Sequence, residues 1–372
     1  GINFTASHNP PEYNGLKFST AEGAPAPPEV TAEIEGEIQA LPEKDPEPAA
    51  LLHDGVQEMD CRPAYVRRIK ELVDFKVLSE RPPKIGVDFL YGTSRGYTET
   101  LLQAAKIKPE CLHNYLDPYF GGSTPDCNEA NLKDLRALVP AKGLDLGISA
   151  DGDADRFGIV DEKGDYLRPN QVLGLLAWYL TEARKMKVGL AKTVATTNLL
   201  ETIAGHYKLP FYETPVGFKY LGELFLEKKI HFGGEESAGL SILNHVPEKD
   251  GILAGLLVSE MLAAWRTPLS QLIGQMSAKF GTYCSNRLDL HLSAEDHARA
   301  PERLKADPKR IGGKNVTAIN RTDGLKVVLE DGAWTLFRLS GTEPVVRIYA
   351  EAGSPETLAG LLTAAQRYFM GE

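Results

Sequence analysis

Cysteine is scarce and unpaired in this chain: Cys61, Cys111, Cys127 and Cys284 are scattered over 372 residues without Cys-x-x-Cys spacing. That excludes a zinc ribbon and a disulfide framework, and it fits a reducing compartment in which the thiols are unreactive, buried or half-buried side chains. No run approaches the roughly 20 apolar residues of a membrane-spanning helix, and no charged-then-apolar signal segment stands near the start. A cytoplasmic protein with no membrane partner is expected. Positive charge is also short. The 41 Lys and Arg face 51 Asp and Glu for a formal net charge of −10, which argues against nucleic acid as a partner while leaving room for a local basic pocket. No period of about 20 to 50 residues repeats, so a solenoid is excluded.

What is present is globular. Hydrophobic residues at 42% and charged residues at 25% can build cores, and the length implies two to four domains. Residues 21–54 mix a Pro-rich run, a helical segment over 29–41 and a second loop over 42–48, which reads as the end of one domain and a connector. A βαβ rhythm follows and predicts a parallel sheet: helix 64–78, strand 84–90, turn and helix 92–105, helix 128–139, strand 144–149. A second α/β block begins near Tyr166, with helices 171–185, 199–207, 219–226 and 251–265 and strands 193–197, 211–214 and 230–232. After Gly281 the pattern becomes α+β. Strands are predicted over 286–292, 316–320, 326–330, 334–339 and 345–350, helices over 295–304 and 355–369, and Asp331-Gly332 signals a hairpin.

The strongest chemical signal is Asp151-Gly152-Asp153-Ala154-Asp155-Arg156, directly after a predicted strand. Three carboxylates at alternate positions repel one another unless a cation lies between them, and the open end of a strand is where α/β proteins bind ligands. A divalent ion of the magnesium class is the first reading. A calcium EF-hand competes, because Glu162 is twelfth from Asp151, but its sixth position needs Gly and holds Arg156. A phosphatase with Asp151 or Asp153 as nucleophile is a second rival.

Other loops bear on the choice. Arg338-Leu339-Ser340-Gly341-Thr342-Glu343-Pro344, with Arg347 beyond it, offers guanidinium groups, hydroxyls and free loop N–H groups to a dianion, although a plain hairpin loop fits it too. Gly234-Glu235-Glu236-Ser237-Ala238-Gly239 offers acceptors and donors suited to sugar hydroxyls, or is a structural turn. Lys219 and Lys249 stand at two further loops and taken singly read as solvated side chains. Near the start, Thr5-Ala6-Ser7-His8-Asn9-Pro10 puts a serine among small, polar and turn-forming residues.

Taken in order and separation, the Thr5–Pro10 stretch with Tyr13-Asn14-Gly15 and Lys17, the Asp151–Arg156 loop, the Gly234–Gly239 loop and the Arg338–Arg347 segment resemble the α-D-phosphohexomutase family, in its phosphoglucomutase/phosphomannomutase branch. The resemblance spans all 372 residues. It implies a multi-domain α/β protein with three mixed-sheet α/β domains and a C-terminal α+β domain of TATA-binding-protein-like fold. The implied boundaries are 1–56, 57–165, 166–281 and 282–372, and the first domain is expected to lack its N-terminal half, roughly 100 residues on typical domain sizes.

The resemblance assigns roles residue by residue. Ser7 would carry a phosphoryl group, and Mg²⁺ would be held by Asp151, Asp153, Asp155 and an oxygen on Ser7. His8, Lys17 and Arg156 would act in catalysis, with Lys17 giving electrostatic support or transferring a proton. Glu235, Ser237, Lys219 and Lys249 would bind the sugar, and Arg338, Ser340, Gly341, Thr342 and Arg347 the phosphate that is not reacting. The implied reaction exchanges the 1- and 6-phosphates of glucose or mannose through a phosphoserine and a hexose 1,6-bisphosphate. Sugar phosphates are the implied partners, and a monomer or weak homodimer the implied state. The sugar loop departs from those relatives that end it in histidine, since Gly239 and Leu240 stand there. Phosphoglucosamine mutase, a metal-dependent phosphatase and an inactive sugar-phosphate-binding fragment are the alternatives.

Overall fold

The computed structural model describes residues 1–41, 57–340 and 344–371, so the predicted loop over 42–48 and part of the connector lie outside the described residues. Four sheets follow one another along the chain. The first is an antiparallel ribbon of β1 (Ile2–Phe4) and β2 (Leu16–Phe18), with Ile2 opposite Phe18. Helix α1 (Pro28–Ala40) follows, with proline in its first turn, where a missing N–H costs nothing.

The second unit contains α2 (Arg62–Leu72), α3 (Phe75–Glu80), β3 (Ile85–Asp88), α4 (Thr98–Ala104), β4 (Glu110–Leu112), α5 (Lys133–Ala141), β5 (Leu146–Ala150), β6 (Phe157–Val160) and β7 (Tyr166–Leu167). Its strand order is β4-β3-β5-β6-β7. The sheet is mixed rather than parallel: β3 runs parallel to β4 and β5, but β6 and β7 return antiparallel. Only residues 151–156 separate β5 from β6, too few for the crossover that parallel strands need. The single helix predicted over 64–78 is two helices, because the Asp74 carboxylate accepts from the N–H groups of Lys76 and Val77 and starts α3 there.

The third unit runs through α6 (Pro169–Glu182), β8 (Leu190–Thr193), α7 (Leu199–Tyr207), β9 (Phe211–Thr214), α8 (Phe218–Leu226), β10 (Phe232–Glu235), β11 (Gly239–Ile242), α9 (Gly251–Trp265) and α10 (Leu269–Phe280), with strand order β11-β10-β8-β9. The strand predicted over 193–197 lies earlier, because Thr196 N–H turns back onto the Thr193 carbonyl at 3.0 Å. Apart from Ser259 and Glu260, helix α9 is apolar around its circumference, and it is buried from Gly251 to Ala263. It has to be, since it packs on β5 and β6 of the second sheet and β11 of the third. One core therefore runs through both units, from Ile69 to Phe280.

The fourth unit has its own core. It comprises β12 (Cys284–His291), α11 (Ala294–Arg303), β13 (Arg310–Ile311), β14 (Lys314–Asn320), β15 (Leu325–Leu329), β16 (Trp334–Leu339), β17 (Val345–Ala352) and α12 (Pro355–Met370), an antiparallel sheet in the order β12-β17-β16-β15-β14-β13 with α12 against β17. At the hairpin between β15 and β16, Gly332 takes φ 81°, as its turn position requires. A buried polar seam joins this unit to the third: Glu213 lies 2.9 Å from Lys192 Nζ and 3.0 Å from Lys326 Nζ. Burial and the nearby Lys192 push Lys326 down to about 8. Among the described residues, no single helix is long and apolar enough to cross a membrane.

Candidate active site

Residues 151–156 make the turn between β5 and β6 and fold on themselves. Asp151 Oδ1 accepts from Arg156 N–H at 2.9 Å, and the Asp151 carbonyl accepts from Ala154 N–H at 3.0 Å. Ala154 takes φ 63° to close the turn. A Cβ on Gly152 would lie 2.8 Å from the Ser7 carbonyl oxygen, so glycine lets the serine loop close onto the acidic loop.

Each of the three aspartates divides its two oxygens between two surroundings. One is held by the protein: Asp151 Oδ1 as above, Asp153 Oδ2 by Thr5 Oγ1 and Lys17 Nζ at 2.9 Å each, Asp155 Oδ2 by Lys17 and Lys249 at 3.2 Å each. The other, Asp151 Oδ2, Asp153 Oδ1 and Asp155 Oδ1, is buried with no hydrogen-bond partner. The three carboxylates can bring one ligand oxygen each within 4.8 Å of one another. Buried acceptors left unpaired are costly, and a hard divalent cation is what an all-oxygen set of this kind takes, so the residues fit a metal ion.

The electrostatics fit the same division. Burial, then Asp155 and Asp153, push the Asp151 carboxyl well above the ordinary range. Burial acts in the same direction on Asp155, but Lys249, Lys17 and Arg156 outweigh it and hold that carboxyl low. Burial would lower Lys17, and Asp155 and Asp153 reverse it and hold the ammonium above its ordinary value.

Ser7 sits in the turn between β1 and β2 with φ 57°. Its N–H donates to Thr5 Oγ1 at 2.8 Å, the hydroxyl that itself donates to Asp153, so Thr5 fastens the serine loop to the acidic loop. His8 Nδ1 is 3.4 Å from Ser7 Oγ, and burial, then Arg156, holds its imidazole below the usual value. The ribbon register places Lys17 opposite Asn3, and the same two strands therefore deliver both Ser7 and Lys17 to the aspartates.

A cavity of about 550 Å³ adjoins these groups, lined by Lys17, Phe18, Asp153, Asp155, Gly217, Phe218, Lys219 and Lys249 among others. At its third-unit side stands Glu235, 5% exposed, whose Oε1 accepts from Gly217 N–H at 2.9 Å. Burial and the neighbouring Glu236 push Glu235 up to about 7. Ser237 is half-buried in the turn between β10 and β11. Arg338 and Arg347 face one another across β16 and β17. Arg338 Nε donates to Asp323 Oδ2 at 2.8 Å, and the same oxygen accepts from Val216 N–H at 3.0 Å, which ties β16 to the loop before Gly217. Arg347 Nε is buried without a hydrogen-bond partner, and Ser340 N–H donates to the Val345 carbonyl. Gly341 and Thr342 lie outside the described residues.

Ser7, His8, Lys17, Asp151, Asp153, Asp155, Arg156 and Lys249 thus converge on one centre, with Lys219 lining the adjoining cavity and Glu235 bonded to its rim at Gly217. Arg338 reaches that rim through Asp323, and Arg347 lies beside Arg338 on the neighbouring strand. The calcium-loop alternative fails on geometry. Glu162 lies beyond β6 and bonds Ser270 at the start of α10. Sequence reasoning missed Thr5 and Asp323; Thr5, two residues before Ser7, carries the hydroxyl-to-backbone pattern of a turn and was detectable.

An acidic loop whose residues fit a metal ion, a serine loop fastened to it and a cavity that brings three lysines up to those carboxylates, assembled from successive units, fit an enzyme of metal-assisted phosphoryl transfer. Comparison with known proteins makes the assignment specific. Family descriptions match in series: phosphoglucomutase/phosphomannomutase α/β/α domain I at residues 1–45, domain II at 63–164, domain III at 168–280 and the C-terminal domain at 294–365. A phosphoglucomutase/phosphomannomutase of Thermococcus kodakarensis is 31% identical over 357 residues, covering 96% of this chain and 75% of the relative. A phosphoglucomutase of Komagataeibacter xylinus is 30% identical, with 98% and 72% covered. The crystal structure of a putative phosphomannomutase from Thermus thermophilus superposes with TM-score 0.84 at 33% identity, over 100% of this chain and 78% of that one. The chain belongs to the phosphoglucomutase/phosphomannomutase family of phosphohexomutases.

Proposed function

We propose that the chain interconverts hexose 1-phosphate and hexose 6-phosphate, of glucose, mannose or both, through phospho-Ser7 and a hexose 1,6-bisphosphate. The observation that carries this is the Thr5 hydroxyl, which joins Ser7 N–H to Asp153 and so fastens the serine loop to the three carboxylates, each with one oxygen that accepts no hydrogen bond. Asp151, Asp153, Asp155 and a phosphoserine oxygen would hold Mg²⁺, which would supply neutralisation of the charge on the transferring group. The sugar hydroxyl attacks phosphorus, the P–O bond to Ser7 Oγ breaks, and the bisphosphate turns around before its other phosphate returns to Ser7. Lys17, an ammonium, supports the charge electrostatically or passes a proton to the departing Ser7 oxygen and regains one from the attacking hydroxyl, with Arg156 and His8 beside the same group. Glu235 and Ser237 hold sugar hydroxyls, Lys219 and Lys249 line the cavity, and Arg338, Ser340, Gly341, Thr342 and Arg347 hold the phosphate that is not reacting, so either end of the sugar can dock. The chain works in the cytoplasm as a monomer or weak homodimer.

A second reading rests on a probable phosphoglucosamine mutase of Methanothermobacter thermautotrophicus, 30% identical over 356 residues. Incubation with α-glucose 1-phosphate, mannose 1-phosphate or glucosamine 1-phosphate, with Mg²⁺ and a trace of the matching bisphosphate, tests both. Formation of glucose or mannose 6-phosphate is expected. Net release of inorganic phosphate without isomer overturns the mutase reading, and turnover confined to the amino sugar favours the second.

A further inference from the structure

Behind the cavity, a carboxylate that the reaction does not use draws donors from three places. Asp250 is 7% exposed. Its oxygens accept from Tyr65 OH of α2 at 2.8 and 3.0 Å, from His245 Nε2 of the loop after β11 at 2.8 Å, and from Leu253 N–H in the first turn of α9 at 2.8 Å. The backbone at this point is pinned as well. Asp250 N–H donates to the Leu240 carbonyl at 3.0 Å, and Gly251 N–H to the Ala154 carbonyl in the acidic loop at 2.9 Å. Between these anchors and the cavity stands Lys249, whose ammonium lies 3.2 Å from Asp155.

We infer that Tyr65, Asp250 and His245 form a positioning clamp that fixes Lys249 in register with the acidic loop. The inference rests on the mutase reading for its kinetic consequence. An aspartate that only capped α9 would need the single bond to Leu253. Here a phenol from another unit and an imidazole occupy the remaining acceptor sites, so the residue next to Lys249 cannot rotate without breaking hydrogen bonds to a buried charge. Burial, then Asp250, raises the Tyr65 phenol far above its ordinary value, so it stays a donor. Tyr65, Asp250 and His245 do not themselves line the cavity, and their side-chain hydrogen bonds go to one another and to Leu253 rather than to the three aspartates of the acidic loop.

The test is a double-mutant cycle of Tyr65→Phe and Lys249→Ala in the full chain, with kcat and KM for hexose 1-phosphate and the amide exchange of residues 251–254 measured for each. Tyr65→Phe is expected to raise KM roughly tenfold with little change in kcat, and to have less than about a twofold effect once Lys249 is alanine. It is also expected to speed exchange at residues 251–254. Equal effects of Tyr65→Phe in both backgrounds, or unchanged KM and exchange, overturn the clamp. A chain without turnover in every form counts against the mutase reading alone; the clamp is then decided by exchange, where unchanged protection in Tyr65→Phe overturns it.

Discussion

Replacing Glu235 by glutamine should stabilise the protein at alkaline pH while weakening its reaction. Glu235 is almost completely buried, and burial with Glu236 raises it from 4.5 to about 7. A carboxyl raised in the folded state holds its proton better there than in the unfolded chain. Its contribution is therefore fully favourable below the unfolded value and is lost as pH rises through the folded one. At 1.36 kcal/mol per unit, the ionised group costs about 1 kcal/mol at pH 5 and about 3 kcal/mol at pH 8. Glutamine keeps an acceptor for Gly217 N–H and cannot ionise, so Glu235→Gln recovers that cost. The core shared by the second and third units makes them one cooperative block, for which 1 kcal/mol moves Tm by about 2–4 °C. The Tm gain at pH 8 should exceed that at pH 5 by about 5–10 °C in a thermal melt. Equal shifts at both pH values would refute the reasoning. In the same variant KM for the sugar phosphate should rise, because an amide replaces the carboxylate that accepts from sugar hydroxyls.

Asp153→Asn should lower Mn²⁺ affinity by about 10- to 100-fold in titration by electron paramagnetic resonance, since the amide removes the charge and replaces either the free oxygen Oδ1 or the oxygen Oδ2 that anchors Thr5 and Lys17. Gly251→Ala should destabilise by more than about 2 kcal/mol and weaken metal binding, because its Cβ would clash with the Arg156 carbonyl, whereas Gly205→Ala in α7 meets nothing within 4 Å and should be neutral or stabilising by up to about 1 kcal/mol. Glu213→Gln leaves Lys192 and Lys326 buried without a counter-charge and should destabilise by about 3 kcal/mol, read as earlier unfolding and faster proteolysis of the fourth unit.

Motifs local in sequence were legible. The Asp151–Arg156 loop, the Ser7 loop and the alternation of strands and helices could be read because turn residues, carboxylates and apolar periods lie within a few positions of each other. Contacts between distant segments were not. Nothing near Tyr65 announces that its hydroxyl meets Asp250, and Glu213 reads as an ordinary strand residue until Lys326 arrives from another sheet. The short strands β6, β7 and β11 carry too few residues for a period-2 pattern, so the antiparallel returns could not be read from the strand rhythm, and the mixed sheets were legible only through the family resemblance. Helix α10 was missed because it begins at Leu269 directly after Pro268, close behind the far stronger apolar run of α9.

The central claim is that Ser7 carries the phosphoryl group. Incubating the protein with hexose 1,6-bisphosphate and Mg²⁺, then mapping phosphopeptides by mass spectrometry, tests it most directly. One phosphoryl group on Ser7 that is lost to added hexose 1-phosphate or 6-phosphate is the expected result. Phosphate on another residue, or full mutase turnover in Ser7→Ala, contradicts it.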